Sequence, residues 1–364
     1  MRVLSVAGAR PQFVKLAPVD QALRHQGHEH VIVHTGQHYD PLLSQSFFED
    51  LAIPAPAVNL GVGSRSHAAQ TAGIVLGLEP VLDEYTPDWV LVYGDTNSAL
   101  AGALAASLRG YPLAHVEAGL RCFDRRMAEE RNRVLIDHAS DLLFAPTATA
   151  VRNLQREGLR PRAALVGDVM VATLAATRER VAAAPDRYLP AVLRTRPFLL
   201  ATVHRAETTD DPRRLAATLS ALASCALPVK LLAHPRLADR ARALSLPLAA
   251  GALETSEPLP YQSMIAAMLA ARGLITDSGG LQKEALMLGV VCTTLRARTE
   301  WPETLHGGWN VLVPEPRDLA AAVARPRPAG DPPQPFGDTG AARRIVAALA
   351  GRARAEPTAG RGSA

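Results

Sequence analysis

Short apolar runs alternate along the chain with longer stretches in which hydrophobic residues recur every three or four positions. RVLSVAG, HVIVHTG, WVLVYGD, LAHVEAG and LLFAP predict one series of strands, with amphipathic helices between them. Near ALVGDVMVATLAAT that series ends, and PFLLATVH, VKLLAHP, GLITDSGG, VVCTTLR and NVLVP begin another. Strands that alternate with helices form βαβ units around parallel sheets. The predicted fold class is therefore α/β, with two Rossmann-like doubly wound domains facing a cleft, over residues 1–169 and 170–324. PRPAGDPPQP is too rich in proline for helix or strand, and GAARRIVAALAGR has helical spacing after it. Residues 325–352 are thus expected to be a connector and a final helix that crosses to pack on another part of the molecule. A disordered tail is expected over 353–364.

Length agrees with two domains, since 364 residues can bury two cores of ordinary size. The most apolar stretch, LAATLSALASCALPV, is too short and too polar to span a bilayer, and VLSVAGA is too short for a signal peptide. A cytoplasmic protein without membrane contact is expected. Cys122, Cys225 and Cys292 are odd in number and match no metal-ligand spacing, so neither a disulfide framework nor a metal site is expected. Net charge is +4, but the basic residues are scattered among acids and aromatics make up 4%. That pattern suits a small anionic ligand better than nucleic acid.

The charged motifs fall at the carboxyl ends of predicted strands, where open α/β sheets bind ligands. GARPQFVK follows the first strand; its helix start offers backbone donors to an anion, with Arg10 and Lys15 adding charge. It lacks the GxGxxG dinucleotide pattern, and no cofactor is expected. Asp95 ends WVLVYGD, Glu117 ends a neighbouring strand, and Glu129 follows in HVEAGLRCFDRRMAEERNR, with Arg121 between. Three carboxylates around one cleft repel one another and separate their pKa values, which prepares one as a base and another as an acid. His204 and Arg205 follow the first strand of the second series, in a position for phosphate contact. Ser278, Gly279 and Gly280 open a helix in the geometry that cradles phosphate, and Glu284, about one turn on, can reach paired ribose hydroxyls.

Taken together, GARPQFVKLAP, GQHYDPLLSQSFFEDL, YGDTNSALAGALAA, AHVEAGLRCFDRRMAEERNRVLIDH, TVHRAE, TDSGGLQKEAL and TEWPET closely resemble the non-hydrolysing UDP-N-acetylglucosamine 2-epimerases. The resemblance implies a glycosyltransferase-B-like pair of Rossmann domains, a UDP-linked sugar as ligand, and a homodimer. It also implies a reaction. A base takes the proton at carbon 2 while UDP leaves carbon 1; the resulting glycal is protonated from the opposite face and UDP returns. Asp95, Glu117 and Glu129 match the acid/base set, with His204 near the diphosphate. Arg10, Lys15, Ser278, Gly279, Gly280 and Glu284 match phosphate and uridine contacts.

Gln12 stands where the family usually has an acid, Ala128 where it has proline, and Trp301 where many members have arginine. Many bacterial members bind a second substrate molecule as activator beside a Gln-His-Arg loop; here the loop reads Gln37, His38, Tyr39, so such activation is not implied. A hydrolysing epimerase that releases free N-acetylmannosamine shares the first half-reaction. A glycosyltransferase of the same fold needs one base and an acceptor groove rather than three carboxylates.

Overall fold

The computed structural model describes residues 1–37, 48, 50–194 and 197–353. They divide into two compact units, Met1–Ala175 with the C-terminal stretch from Phe336, and Ala176–Pro335.

The first unit is built on β1 (Arg2–Ala7), β2 (Glu29–His34), β3 (Val58–Asn59), β4 (Trp89–Tyr93), β5 (Leu113–Val116), β6 (Leu142–Ala145) and β7 (Ala163–Leu165). All pair in parallel, in the order β3-β2-β1-β4-β5-β6-β7. Every residue of β4 and β5 is buried, which is why those strands read as continuous apolar runs and not as alternating ones. The helices are α1 (Arg10–His25), α2 (His67–Tyr85), α3 (Asn97–Leu108), α4 (Ala128–Ala139), α5 (Ala148–Arg156) and α6 (Met170–Ala183), the last of which runs into the second unit. Ala99, Ala101, Ala103, Ala105 and Ala106 are buried along α3, so its small side chains bring the helix backbone close to the sheet.

The second unit carries β8 (Leu199–Val203), β9 (Val229–Ala233), β10 (Leu253–Ser256), β11 (Gly273–Thr276), β12 (Cys292–Thr294) and β13 (Asn310–Leu312). They too pair in parallel, in the order β10-β9-β8-β11-β12-β13. Its longer helices are α7 (Pro212–Ala223), α8 (Pro235–Ala243), α9 (Tyr261–Ala270) and α10 (Gly279–Leu288). The last helix, α11 (Ala341–Ala353), returns to the first unit and packs on α1. Arg344 Nε on it donates to the carbonyl of Val166 at 2.8 Å.

In each sheet the strand order reverses once, at β1/β4 and at β8/β11, and a crevice opens beyond the strand ends at that point. The two α/β halves of the sequence reading are present. The boundary lies at Ala175, inside α6, and the expected tail falls outside the described residues from 354 onward. Among the described residues no helix is long and apolar enough to cross a membrane.

Candidate active site

In the first unit the β1/β4 crevice and the end of β5 bring candidate residues together. Lys15, buried on α1, forms an ion pair with the buried carboxylate of Glu117. The two meet across the end of β4, the strand between β1 and β5, over Gly94. A Cβ on Gly94 would lie 2.9 Å from Lys15 Nζ and 3.0 Å from Glu117 Oε2, and its φ is +63°, so glycine is required on both counts. Glu117 itself adopts φ +78°, a left-handed conformation that costs a non-glycine residue about 1–3 kcal/mol. Its neighbours hold it there, because the N–H groups of Glu117 and Ala118 both donate to the Phe144 carbonyl at 3.1 Å.

Beneath this turn lies a buried polar network. His115 contacts Asp137 through Nδ1 at 2.7 Å and the Gly94 carbonyl through Nε2 at 2.8 Å. The ring is thus held at both nitrogens. Asp137 also accepts from Gly119 N at 3.0 Å and pairs with Arg121 at 2.8 Å. Burial works against ionisation of Asp137, but His115 and Arg121 outweigh it and hold the group below the usual carboxylate range.

Asp95, just past Gly94, keeps about a quarter of its side chain exposed, 25%, and Arg133 on α4 donates to it through Nε at 3.1 Å. Its pKa lies above the ordinary aspartate value. Removal from water raises it; Arg133 and Lys15 pull it back; the charges of Glu129 and Glu117 push it further up. The three carboxylates singled out from sequence are thus electrostatic neighbours. Glu129 is half-buried in the first turn of α4, whereas Glu130 beside it is buried and accepts from Cys122 N at 3.1 Å, Phe123 N at 2.8 Å and Arg133 at 3.0 Å. Glu130 fixes the loop and Glu129 remains available. Burial pushes the Cys122 thiol up to about 11, so it is a packed side chain and not a nucleophile.

In the second unit, Asp277 at the end of β11 organises the loop after β8. Its Oδ2 accepts from His204 N at 2.9 Å and Arg205 N at 2.8 Å, and its Oδ1 lies 3.1 Å from His204 Nδ1. Burial alone would raise its pKa, yet His204 and the two backbone donors bring it to about 2. The ring is thereby held through Nδ1, and its side chain stays 37% exposed, which leaves Nε2 to meet a ligand. Ser278 Oγ caps α10, accepting from Leu281 N at 3.4 Å, and its hydroxyl proton remains to donate. Glu284 accepts from Tyr261 Oη at 2.8 Å. Glu300 packs closely on Gly279: a Cβ there would lie 2.2 Å from Glu300 Oε1. Glu300 in turn pairs with Arg296 at 2.8 Å and Arg205 at 3.4 Å.

Several expectations change on this geometry. Arg121 is not presented to a ligand: it is buried and spends its guanidinium on Asp137, Glu157 and the Leu120 carbonyl. Lys15 holds Glu117, and Arg10 sits half-buried at the start of α1. Gln12 suits its position better than an acid would, since Oε1 accepts from Gly8 N and Ala9 N while Nε2 donates to the Tyr93 carbonyl at 3.0 Å. Ala128 opens α4, where proline is merely favoured. Gln37 accepts from Ser98 N at 3.0 Å, but His38 and Tyr39 lie outside the described residues. Arg133, Asn132, His115, Asp137, Asp277 and Glu300 were missed. Asn132 donates to the Asp95 carbonyl at 2.9 Å. The signals available were Arg133 four residues after Glu129, and an aspartate directly before the Ser-Gly-Gly turn.

A family model described as UDP-N-acetylglucosamine 2-epimerase matches residues 21–350. A Methanococcus maripaludis protein named as a UDP-N-acetylglucosamine 2-epimerase homolog is 44% identical over 317 residues, 86% of this chain and 88% of its own length. The Pseudomonas aeruginosa UDP-2,3-diacetamido-2,3-dideoxy-D-glucuronate 2-epimerase is 43% identical over 333 residues, 89% of this chain and 92% of its own. Among crystal structures, Methanocaldococcus jannaschii UDP-GlcNAc 2-epimerase in complex with UDP-GlcNAc and UDP aligns with a TM-score of 0.88 at 37% identity, covering 96% of this chain and 99% of that one.

The lowered pKa of Asp277 makes a stability prediction. The ionised group stabilises the fold at pH values above the unfolded value of 3.8, and that contribution disappears as pH falls through about 2. Asp277→Asn should therefore lose at least about 2 kcal/mol at pH 7 in urea unfolding, and the part due to ionisation should shrink to about half at pH 3. A deficit of the same size at both pH values would contradict the assignment.

Proposed function

The chain belongs to the UDP-N-acetylglucosamine 2-epimerase family, a family of isomerases, and we propose that it inverts carbon 2 of a UDP-N-acetylhexosamine without hydrolysing the product. The observation that carries this reading is the cluster of Asp95, Glu117 and Glu129, in which one carboxyl has its pKa raised by burial and by its two acidic neighbours. Abstraction of the carbon 2 proton and its return on the other face need one group to take a proton and another to give one, and carboxyls in unlike environments divide those roles. Lys15, bound to Glu117, keeps that carboxylate in place through the cycle. Elimination breaks the bond between carbon 1 and the UDP oxygen, and the leaving diphosphate takes the electron pair.

In this reading the diphosphate is held by residues of the second unit. His204, oriented by Asp277, and the hydroxyl of Ser278 at the start of α10 are donors suited to a phosphoryl oxygen. Glu284 and Arg205 complete the nucleotide contacts, and Gly280, where a Cβ would meet only Ser278 Oγ at 3.9 Å, leaves the helix start open. Nothing in this sequence of steps calls for a nicotinamide or a metal. The sugar is UDP-N-acetylglucosamine or a modified analogue; the near-equal identity to the diacetamido-glucuronate enzyme makes the analogue a specific second candidate. A cytoplasmic setting is part of this proposal, in keeping with three buried cysteines that are not joined in disulfides.

We propose a homodimer as well. Leu76 on α2 and Leu108 on α3 are 66% and 75% exposed, and Leu104 and Leu135 are exposed on α3 and α4. These helices pack side by side in the first unit, and so many exposed leucines on neighbouring helices fit a face covered by a second copy.

The function is tested by incubating the protein with UDP-N-acetylglucosamine and, separately, with the UDP-2,3-diacetamido-glucuronate, and following products by NMR. The expected product is the carbon 2 epimer still linked to UDP; free N-acetylmannosamine would identify a hydrolase, and no change in either sugar would reject the proposal. Asp95→Asn, Glu117→Gln and Glu129→Gln should each lower turnover by at least about a hundredfold, with smaller effects on substrate affinity. Near-normal turnover in two of the three would remove the carboxylate set. Light scattering should give a dimer that Leu76→Glu with Leu108→Glu converts to monomer; a monomeric wild type would end the dimer proposal.

A further inference from the structure

Lys283 and Trp301 are 1% and 2% exposed, and the Lys283 ammonium lies 3.8 Å from the centroid of the Trp301 ring. Burying an ammonium is strongly unfavourable unless something compensates it, and the face of an indole is the best aromatic partner for a cation. The edge of the same indole reaches the start of α10, with Nε1 3.6 Å from where a Gly279 Cβ would lie. Trp301 therefore covers the first turn of the helix with its edge and the residue one turn further on with its face. Its chain neighbours grip the same turn. Glu300 lies against Gly279, and Thr299 and Thr304 both donate to Gln282 Oε1, at 2.8 and 3.3 Å.

We infer that the buried Lys283–Trp301 pair positions the first turn of α10 for a diphosphate and sets the preference for UDP over the bare nucleoside. This rests on the reading of α10 as the diphosphate cradle. The chain of effects is physical. Four residues of helix rise place Lys283 about 6 Å along the axis from Gly279. A charge sealed from water at that distance adds to the positive potential of the helix N-terminus with little solvent screening. Trp301 contributes its ring face to the surroundings of that charge, and its edge lies against the turn. Both are positioning residues, acting through the helix start.

The test compares affinities for UDP and for uridine by titration in wild type, Lys283→Met, Lys283→Arg and Trp301→Phe. Lys283→Met should reduce the UDP-over-uridine preference by about tenfold while uridine affinity stays near the wild-type value, and Lys283→Arg should restore most of the preference. KM for the nucleotide sugar should rise in parallel, with kcat little changed. Trp301→Phe, which keeps an aromatic face but drops the N–H, should fall between, and it serves as the decisive variant if Lys283→Met does not fold. An unchanged preference in the folded variant, or equal loss of UDP and uridine affinity, would overturn the inference. A wild type that binds no UDP would overturn the underlying reading of α10 and this inference with it.

Discussion

The buried ion pair between Lys15 and Glu117 is the constraint on which the first unit's site depends. The two residues belong to segments that follow β1 and β5, and β4 lies between those strands, so they can meet only above the end of β4. That end is Gly94, the one residue type that leaves room, and the next residue is Asp95. One contact therefore forces a glycine, a left-handed glutamate and the position of the neighbouring aspartate. Removing one partner of a buried pair typically costs about 3–5 kcal/mol, more than the strain stored at Glu117, so the strained turn persists. The His115–Asp137–Arg121 network supports it from below by holding the Gly94 carbonyl and Gly119 N–H.

The second unit solves a similar problem with one aspartate. Asp277 ends β11 beside β8, and its oxygens fix the backbone and ring of the loop that follows β8. The Thr202 and Thr276 hydroxyls, 2.7 Å apart on the same two strands, tie the strand ends together just before the loops diverge. In both units candidate residues gather at or beside the point where the strand order reverses, because there two adjacent strands send their loops in opposite directions and leave backbone donors uncovered.

Much of this was legible in the sequence. The ten strands read from apolar runs are all present, because strands buried on both faces leave an uninterrupted signal. β3, β7 and β10 were not read: they are short, lie at sheet edges and include polar or small residues such as Asn59, Ala163 and Ser256. Asp95 and Glu117 were legible as candidates because they follow strand ends, and Glu129 because it lies in the same charged run as Glu117. The residues that orient them were not, since Arg133, His115 and Asp137 act through contacts that bridge 38 and 22 positions in the chain. The surroundings of Arg121 were not legible for the same reason. Nothing local to HVEAGLR shows that Glu157, 36 residues away, claims the guanidinium.

The central claim is that proton transfer by these carboxylates, coupled to departure of UDP, inverts carbon 2. The most direct test is to run the reaction in deuterium oxide, without added nicotinamide and with a chelator present, and to examine carbon 2 of product and recovered substrate. A carboxyl that has taken the sugar's proton exchanges it with solvent before the glycal is reprotonated, so both species should acquire deuterium at carbon 2. Epimerised product that keeps its original hydrogen throughout would contradict the elimination and addition mechanism.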